Sequence, residues 1–239
     1  MIDLYQGDCL DEMDKVADHT VDMIFTDLPY GTTKNAWDVP IPLDKLWEQY
    51  RRILKPGGAV LLFAQMPFGA DLINSNRRWY RYEWIWHKMM PVGFLNANRM
   101  PLRTHENILV FYEHLPTYHP QKTPGKPYTA LRSARATHNY GHFDRATTIN
   151  DGERCPRDVL TFSNGNNASK IHPTEKPVDL LEYMIRTYTD AGDIVLDSCM
   201  GSGSCGVACQ RLGRGFIGIE KDPGDFEAAR KRIADAAEQ

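Results

Sequence analysis

The chain has 239 residues, 42% apolar, 25% charged and 10% aromatic, the balance of an ordinary globular protein with length for one sizeable core, which excludes fibrous, disordered and disulfide-stapled classes. Its five cysteines (Cys9, Cys155, Cys199, Cys205, Cys209) are scattered without a Cys-x-x-Cys pair, so neither a disulfide framework nor a metal site is expected, and a reducing cytoplasm is. A net charge of −3 argues against a protein that coats nucleic acid.

Residues 1–20 carry six acids against the single cation Lys15, the wrong charge for a signal peptide, and no membrane anchor is expected. Val21 to Thr26 (VDMIFT) reads as the first buried strand. Leu43, Leu46, Trp47, Tyr50 and Leu54 recur at helical spacing, with the stop signal Lys55-Pro56-Gly57-Gly58 behind them. Ala59 to Ala64 (AVLLFA) is the next strand. Residues 76–145 hold eleven Lys/Arg against four Asp/Glu, a balance of +7, while the rest of the chain stands at −10. Such a basic middle suits a polyanion held at one face, or a merely solvated insert.

From about His114 to Ile171 the chain is rich in Pro, Gly, Asn, Thr, His and Arg and lacks apolar periodicity, which predicts a functional insert or a partly disordered loop. Leu180, Met184 and Ile185 then mark a helix ahead of the Ala191-Gly192 break. Asp193 to Leu196 (DIVL) is a strand, Val207 to Leu212 a helix, and Gly215 to Glu220 (GFIGIE) a fourth strand. Strands alternating with helices predict one α/β domain with a doubly wound, mainly parallel sheet, interrupted by the insert.

The DIVL strand runs into Gly201-Ser202-Gly203-Ser204-Cys205-Gly206, a Gly-x-Gly-x-x-Gly loop opening a helix. Such glycines let the backbone turn tightly and approach a ligand. Glu220, 17 residues beyond Gly203, ends the next strand, where a carboxylate can accept both hydroxyls of a ribose. A nucleotide-like cofactor follows, and the loop fits a dinucleotide fold and an S-adenosylmethionine fold equally.

Asp27-Leu28-Pro29-Tyr30 stands at the end of the VDMIFT strand, at the sheet edge where open α/β proteins bind ligands. A carboxylate, a backbone carbonyl and a ring at that place suit a planar amine. The exocyclic amine of a nucleobase is a poor nucleophile because its lone pair is delocalised into the ring. Asp27 can accept one N–H and the Leu28 carbonyl the other, which localises the lone pair and aims it at an electrophilic methyl. Tyr30 would stack on the base, which must first leave the duplex.

These residues resemble the amino-methylating DNA methyltransferases, whose signature is Asp/Asn/Ser-Pro-Pro-Tyr/Phe. Leu28 departs from it at a position that acts through its backbone, and Pro29 still holds residue 28 extended. The resemblance covers most of the chain outside the insert. Gly7-Asp8-Cys9-Leu10 is similar to the segment that binds the cofactor's adenine, with Asp8 expected to end the third strand of the methyltransferase order. Lys55 to Gly58, Trp86-His87-Lys88 and Arg103-Thr104-His105-Glu106 resemble the connecting and target-strand segments. His172-Pro173-Thr174-Glu175-Lys176-Pro177 resembles a cofactor-side motif, and Asp197-Ser-Cys-Met-Gly-Ser-Gly-Ser resembles Asp-Pro-Phe-x-Gly-Ser-Gly-Thr. The catalytic motif precedes the glycine loop by some 170 residues, the permuted layout of the family's beta group.

The resemblance implies a seven-stranded Rossmann-like sheet, S-adenosylmethionine bound by Asp8, Cys9, Thr174, Lys176, Asp197, Gly201, Ser202, Gly203, Ser204 and Glu220, and methyl transfer at Asp27 to Tyr30. The acceptor it implies is N6 of adenine in double-stranded DNA, with N4 of cytosine as the alternative. Cytosine C5 methylation needs a cysteine nucleophile, usually in Pro-Cys, and the chain has no such dipeptide. A nicotinamide-dependent oxidoreductase would share the glycine loop but leaves Asp27 to Tyr30 unexplained, and a catalytically dead DNA-binding relative is the third reading. Lys88, Arg99 and Arg103 are nominated for the DNA face, and Arg132, Arg135, His138, Asn139 and Arg145 of the insert for reading bases. His105 and His172 are expected to be bonded within the fold. A homodimer is implied by likeness alone.

Overall fold

The structure, a computed structural model, describes residues 1–33, 35, 38–137, 141–164 and 175–237. It divides into one unit of Met1–His119 with Asp158–Gln239, and a second of Pro120–Arg157. In chain order the first unit begins β1 (Ile2–Gln6), α1 (Cys9–Glu12), β2 (Val21–Thr26), α2 (Leu43–Ile53), β3 (Leu54–Ala64), α3 (Phe68–Ser75), β4 (Tyr80–Val92) and β5 (Arg103–Phe111).

The second unit holds six short strands, β6 (Thr123–Pro124), β7 (Tyr128–Arg132), β8 (Arg135–Thr137), β9 (Gly141–Phe143), β10 (Ala146–Asn150) and β11 (Glu153–Arg154), paired as three antiparallel ribbons β7–β10, β6–β11 and β8–β9. The first unit resumes with β12 (Val159–Phe162), α4 (Val178–Tyr188), β13 (Ile194–Asp197), α5 (Ser204–Leu212), β14 (Gly215–Glu220) and α6 (Pro223–Ala236).

One eight-stranded sheet runs β1-β14-β13-β2-β3-β5-β4-β12. The five strands from β1 to β3 are parallel, β5 is antiparallel to both β3 and β4, and β12 lies parallel to β4. Apolar runs such as VDMIFT make strands here because both faces are covered. Met23, Phe25, Leu61 and Phe63 pack with α4, α5 and α6 residues including Met184, Ala208 and Ile233. Ile24, Val60 and Leu62 point the other way, into Leu46, Trp47, Tyr50 and Leu72 of α2 and α3. The alternation along each strand therefore builds two cores on one sheet.

Two expectations shift. The helix from Leu43 stops at Ile53, and Lys55 to Gly58 belongs to β3, because Leu54 already pairs with Val21. The 114–171 span is not one insert: its centre is the second unit, while Val159–Phe162 returns as an eighth strand on β4. The short β12 alternates exposed and half-buried residues, which is why it carries no apolar run to read.

Candidate active site

Strands β2 and β13 are parallel neighbours, Val195 beside Met23 and Leu196 beside Ile24, so the segments leaving their carboxyl ends emerge side by side. From this pair the chain steps to β3 on one side and to β14 on the other, the reversal of strand order at which open α/β sheets bind ligands. A cavity of about 870 Å³ opens there, lined by Asp27 to Tyr30 from β2, Asp197 to Ser202 from β13, and Glu220 from β14.

On the β13 side the loop is shaped by its own backbone and tied down by neighbouring side chains. Gly201 (φ +47°) and Gly203 (φ +74°) take left-handed conformations, and a Cβ on Gly203 would lie 2.9 Å from the Cβ of Ala229. The Gly201 N–H donates to Glu220 Oε2 at 2.9 Å and the Asp222 N–H to Oε1 at 2.8 Å, so the carboxylate holds the loop in place. Arg232 of α6 donates to the Ser202 carbonyl and the Ser204 hydroxyl, each at 3.1 Å, and to the Glu175 carboxylate. Burial pushes the Asp197 carboxyl up to about 7 against hydrogen bonds from Thr26 and the Cys199 N–H, with the negative charges of Asp27 and Glu220 adding to the rise.

On the β2 side the groups are charged side chains. Tyr30 donates its hydroxyl to Asp27 Oδ1 at 2.8 Å, and the Lys176 ammonium donates to Oδ2. Lys176 also lies 3.9 Å from Glu106 Oε2, which is 3.3 Å from the Lys88 ammonium. Gln65 donates to the other Glu106 oxygen at 3.0 Å and accepts from Arg103 at 2.6 Å.

Burial alone would discharge Lys176, but Asp27 and Glu106 override it and hold the ammonium charged. Burial likewise raises Glu106 until Lys176 and Lys88 reverse the sign, leaving it below the usual carboxylate range. Lys88 ends lowered because burial outweighs Glu106. Burial and the nearby Asp27 and Glu106 charges push the Tyr30 phenol well up, which keeps it a hydrogen-bond donor.

The sequence expectations are placed unevenly. Asp27, Leu28, Pro29, Tyr30, Lys176, Asp197, Gly201, Ser202, Ser204 and Glu220 share the cavity. Asp8 ends no strand: β1 stops at Gln6, and Asp8 caps α1 through Leu10 N–H at 3.1 Å and meets Lys221 at 3.1 Å. Neither Asp8, Cys9 nor Gly203 is in the cavity wall, and Thr174, His138, Asn139 and His172 lie outside the described residues. One face of Tyr30 is already stacked on Phe68, with ring centroids 5.0 Å apart.

Lys88, expected at the DNA face, is a buried cavity residue with its side chain 9% exposed. Arg99 and Arg103 are exposed at the open end of β4 and β5. In the second unit Arg132 is exposed over the Phe143 ring, and Arg135 lies on β8. Sequence reading missed Asp38, which accepts the N–H groups of Gly31 (2.7 Å) and Thr33 (2.6 Å) and shapes the turn after Tyr30. It also assigned no role to Gln65 and Glu106. For Glu106 the one signal was a charge at the start of an apolar run, opposite Trp86 on β4; Gln65, uncharged and one residue past β3, carried none.

A cofactor loop and an acceptor motif converging at the switch point of a doubly wound sheet define a group-transfer enzyme of the methyltransferase fold. A family model described as DNA methylase, for N6 and N4 enzymes, matches residues 21–231. The chain is 29% identical over 241 residues to the type II methyltransferase M.HpaI of Haemophilus parainfluenzae, covering 90% of this chain and 69% of that protein. It is 27% identical over 266 residues to M2.DpnII of Streptococcus pneumoniae, covering 96% and 88%.

Among solved structures, the complex of M1.HpyAVI with S-adenosylmethionine superposes with a TM-score of 0.67 at 25% identity, covering 98% of this chain and 99% of that one. The cytosine-N4-specific PvuII methyltransferase shares the fold at a TM-score of 0.68 and 16% identity, covering 99% and 91%. The chain belongs to the N6-adenine/N4-cytosine DNA methylase family and is a DNA methyltransferase that uses S-adenosylmethionine. The cavity fits that cofactor: six carboxylates besides the raised Asp197 line it against four Lys or Arg, a negative surplus suited to a sulfonium and an ammonium.

Proposed function

We propose that this enzyme methylates the N6 amine of adenine in double-stranded DNA after the base leaves the duplex. The observation that carries the reading is that Asp27 to Tyr30 and the glycine loop open on one cavity. S-adenosylmethionine supplies a methyl group on a sulfonium. Asp27 accepts one N–H of the amine and the Leu28 carbonyl the other, so the nitrogen lone pair is turned out of the ring plane towards the methyl. A carboxylate offers about four lone-pair sites, and Tyr30 and Lys176 occupy one on each oxygen, which leaves room for the amine. After transfer the nitrogen carries a positive charge and loses a proton to Asp27, whose side chain is 30% exposed and can pass it to solvent.

Aspartate at position 27, rather than serine, supports adenine over cytosine. Arg103 in the cavity wall and the exposed Arg99 are proposed to hold phosphates, and the Pro120–Arg157 unit, with Arg132 and Arg135, to read bases in the groove. The homodimer that the resemblance implies is part of the proposal and is tested by sedimentation.

Incubating the enzyme with labelled S-adenosylmethionine and mixed-sequence duplex DNA, followed by nucleoside digestion and mass analysis, tests the reading. Label in N6-methyladenine is expected, and label in N4-methylcytosine would replace the acceptor. DNA affinity is expected to fall steeply with added salt, and a flat response would remove the phosphate role from the basic residues.

A further inference from the structure

The Asp27–Lys176 pair carries information beyond orienting the amine. Asp27 Oδ2 and the Lys176 ammonium are an acceptor and a donor in direct contact, both in the cavity wall. The Watson–Crick edge of adenine presents the complementary pair, a donor at N6–H and an acceptor at the adjacent ring nitrogen N1. Cytosine presents the same order at N4–H and N3. Guanine and thymine present a carbonyl beside an N–H, so their edges set like against like at both positions.

Lys176 is built for such a contact. Its ammonium has three N–H donors and spends one on Asp27, while Glu106 at 3.9 Å is beyond hydrogen-bond reach and acts as a charge partner only. The Phe63 ring lies 4.8 Å beneath the ammonium, and the side chain is 12% exposed. Behind it Glu106 is fixed by Gln65 and Lys88, so the ammonium stands on a rigid, charge-balanced floor.

We propose that Lys176 is a specificity-determining residue that donates a hydrogen bond to N1 of the extruded adenine while Asp27 accepts from its amine. This rests on the adenine reading above and names what that site selects: an amine next to a bare ring nitrogen. It gives Lys176 a role at the acceptor base rather than at the cofactor.

The test compares kcat/KM on duplexes whose target base is adenine, 1-deazaadenine, which keeps the amine and lacks N1, or 7-deazaadenine, whose Watson–Crick edge is intact. The wild type is expected to lose about 10- to 100-fold on 1-deazaadenine and little on 7-deazaadenine. Lys176→Met is expected to be slow on all three, with the 1-deazaadenine penalty reduced to within about 2-fold, a residue of 0.4 kcal/mol or so by the tenfold-per-1.36 relation. Lys176→Arg, which retains a donor, keeps the penalty. The cofactor dissociation constant of Lys176→Met, measured by calorimetry, should stay within about 3-fold of the wild type.

Equal use of adenine and 1-deazaadenine by the wild type overturns the proposal, and that arm needs no variant to fold. An undiminished penalty in Lys176→Met overturns it as well, and combined with a large loss of cofactor affinity it makes Lys176 a cofactor ligand. If the product proves to be N4-methylcytosine, the adenine assignment fails by itself, and the same comparison with 3-deazacytosine decides whether Lys176 reads the ring nitrogen.

Discussion

The two halves of the cavity are built from different materials. The half proposed to hold the cofactor is built on backbone: a glycine loop in left-handed conformation, its amide bonded to Glu220, the whole contributed by residues 197–222. The half proposed to hold the acceptor base is a chain of side-chain charges, Asp27, Lys176, Glu106 and Lys88, drawn from four separate stretches of sequence. Backbone donors are set by the fold and tolerate substitution of their neighbours. Buried charges are set by one another, so removing one strands the next.

The largest effect that this contrast predicts is at Asp27. Asp27→Ala should lower kcat by at least about 10³-fold while the cofactor dissociation constant, read by calorimetry, stays nearly unchanged. Appreciable residual turnover would merge the two halves into one. Glu220→Ala is the mirror case: the dissociation constant for S-adenosylmethionine should rise about 10- to 100-fold with kcat at saturation largely kept, and an unchanged constant would remove the ribose role.

A smaller effect sharpens the contrast in stability. Glu106→Gln leaves the Lys88 ammonium without the carboxylate it pairs with and Lys176 with Asp27 alone, and should lower the melting temperature by about 5 °C or more, whereas Glu220→Ala, which removes an acceptor of two backbone N–H groups but strands no buried cation, should lower it less. Equal shifts would show that the acceptor charges are not interdependent.

The mildest prediction concerns pH. The Asp197 carboxyl is raised from 3.8 to about 7 by burial, so the folded protein holds a proton there that the unfolded chain has already lost. Stability from this group is full below about pH 4 and is lost as pH rises through about 7. Asp197→Asn should therefore gain melting temperature relative to the wild type at pH 8, by a few degrees, on the order of 3 °C, and less at pH 5. A constant difference at both pH values would contradict it.

The same contrast explains what was legible in the sequence. The glycine loop, Glu220 and the tetrapeptide Asp27 to Tyr30 sit at strand ends, so apolar runs alone located them at the sheet edge. Lys176 was legible as a motif residue but not as the partner of Asp27, because 149 positions separate them and no periodicity links them. Lys88 looked like a surface cation for a related reason: β4 alternates exposed and buried residues, and only pairing with β5 shows that its inward face meets Glu106. Tyr30 follows the end of β2 in the sequence itself, whereas its stacking on Phe68 depends on how α3 packs beneath the loop.

A structure of the enzyme with S-adenosylhomocysteine and a duplex carrying its target site would test the shared cavity most directly. The expected result is an adenine turned out of the helix with its exocyclic nitrogen about 2.7–3.2 Å from both Asp27 and the Leu28 carbonyl, and the ribose of the cofactor product on Glu220. A base seated away from Asp27, or a cofactor product bound outside the glycine loop, would contradict the account.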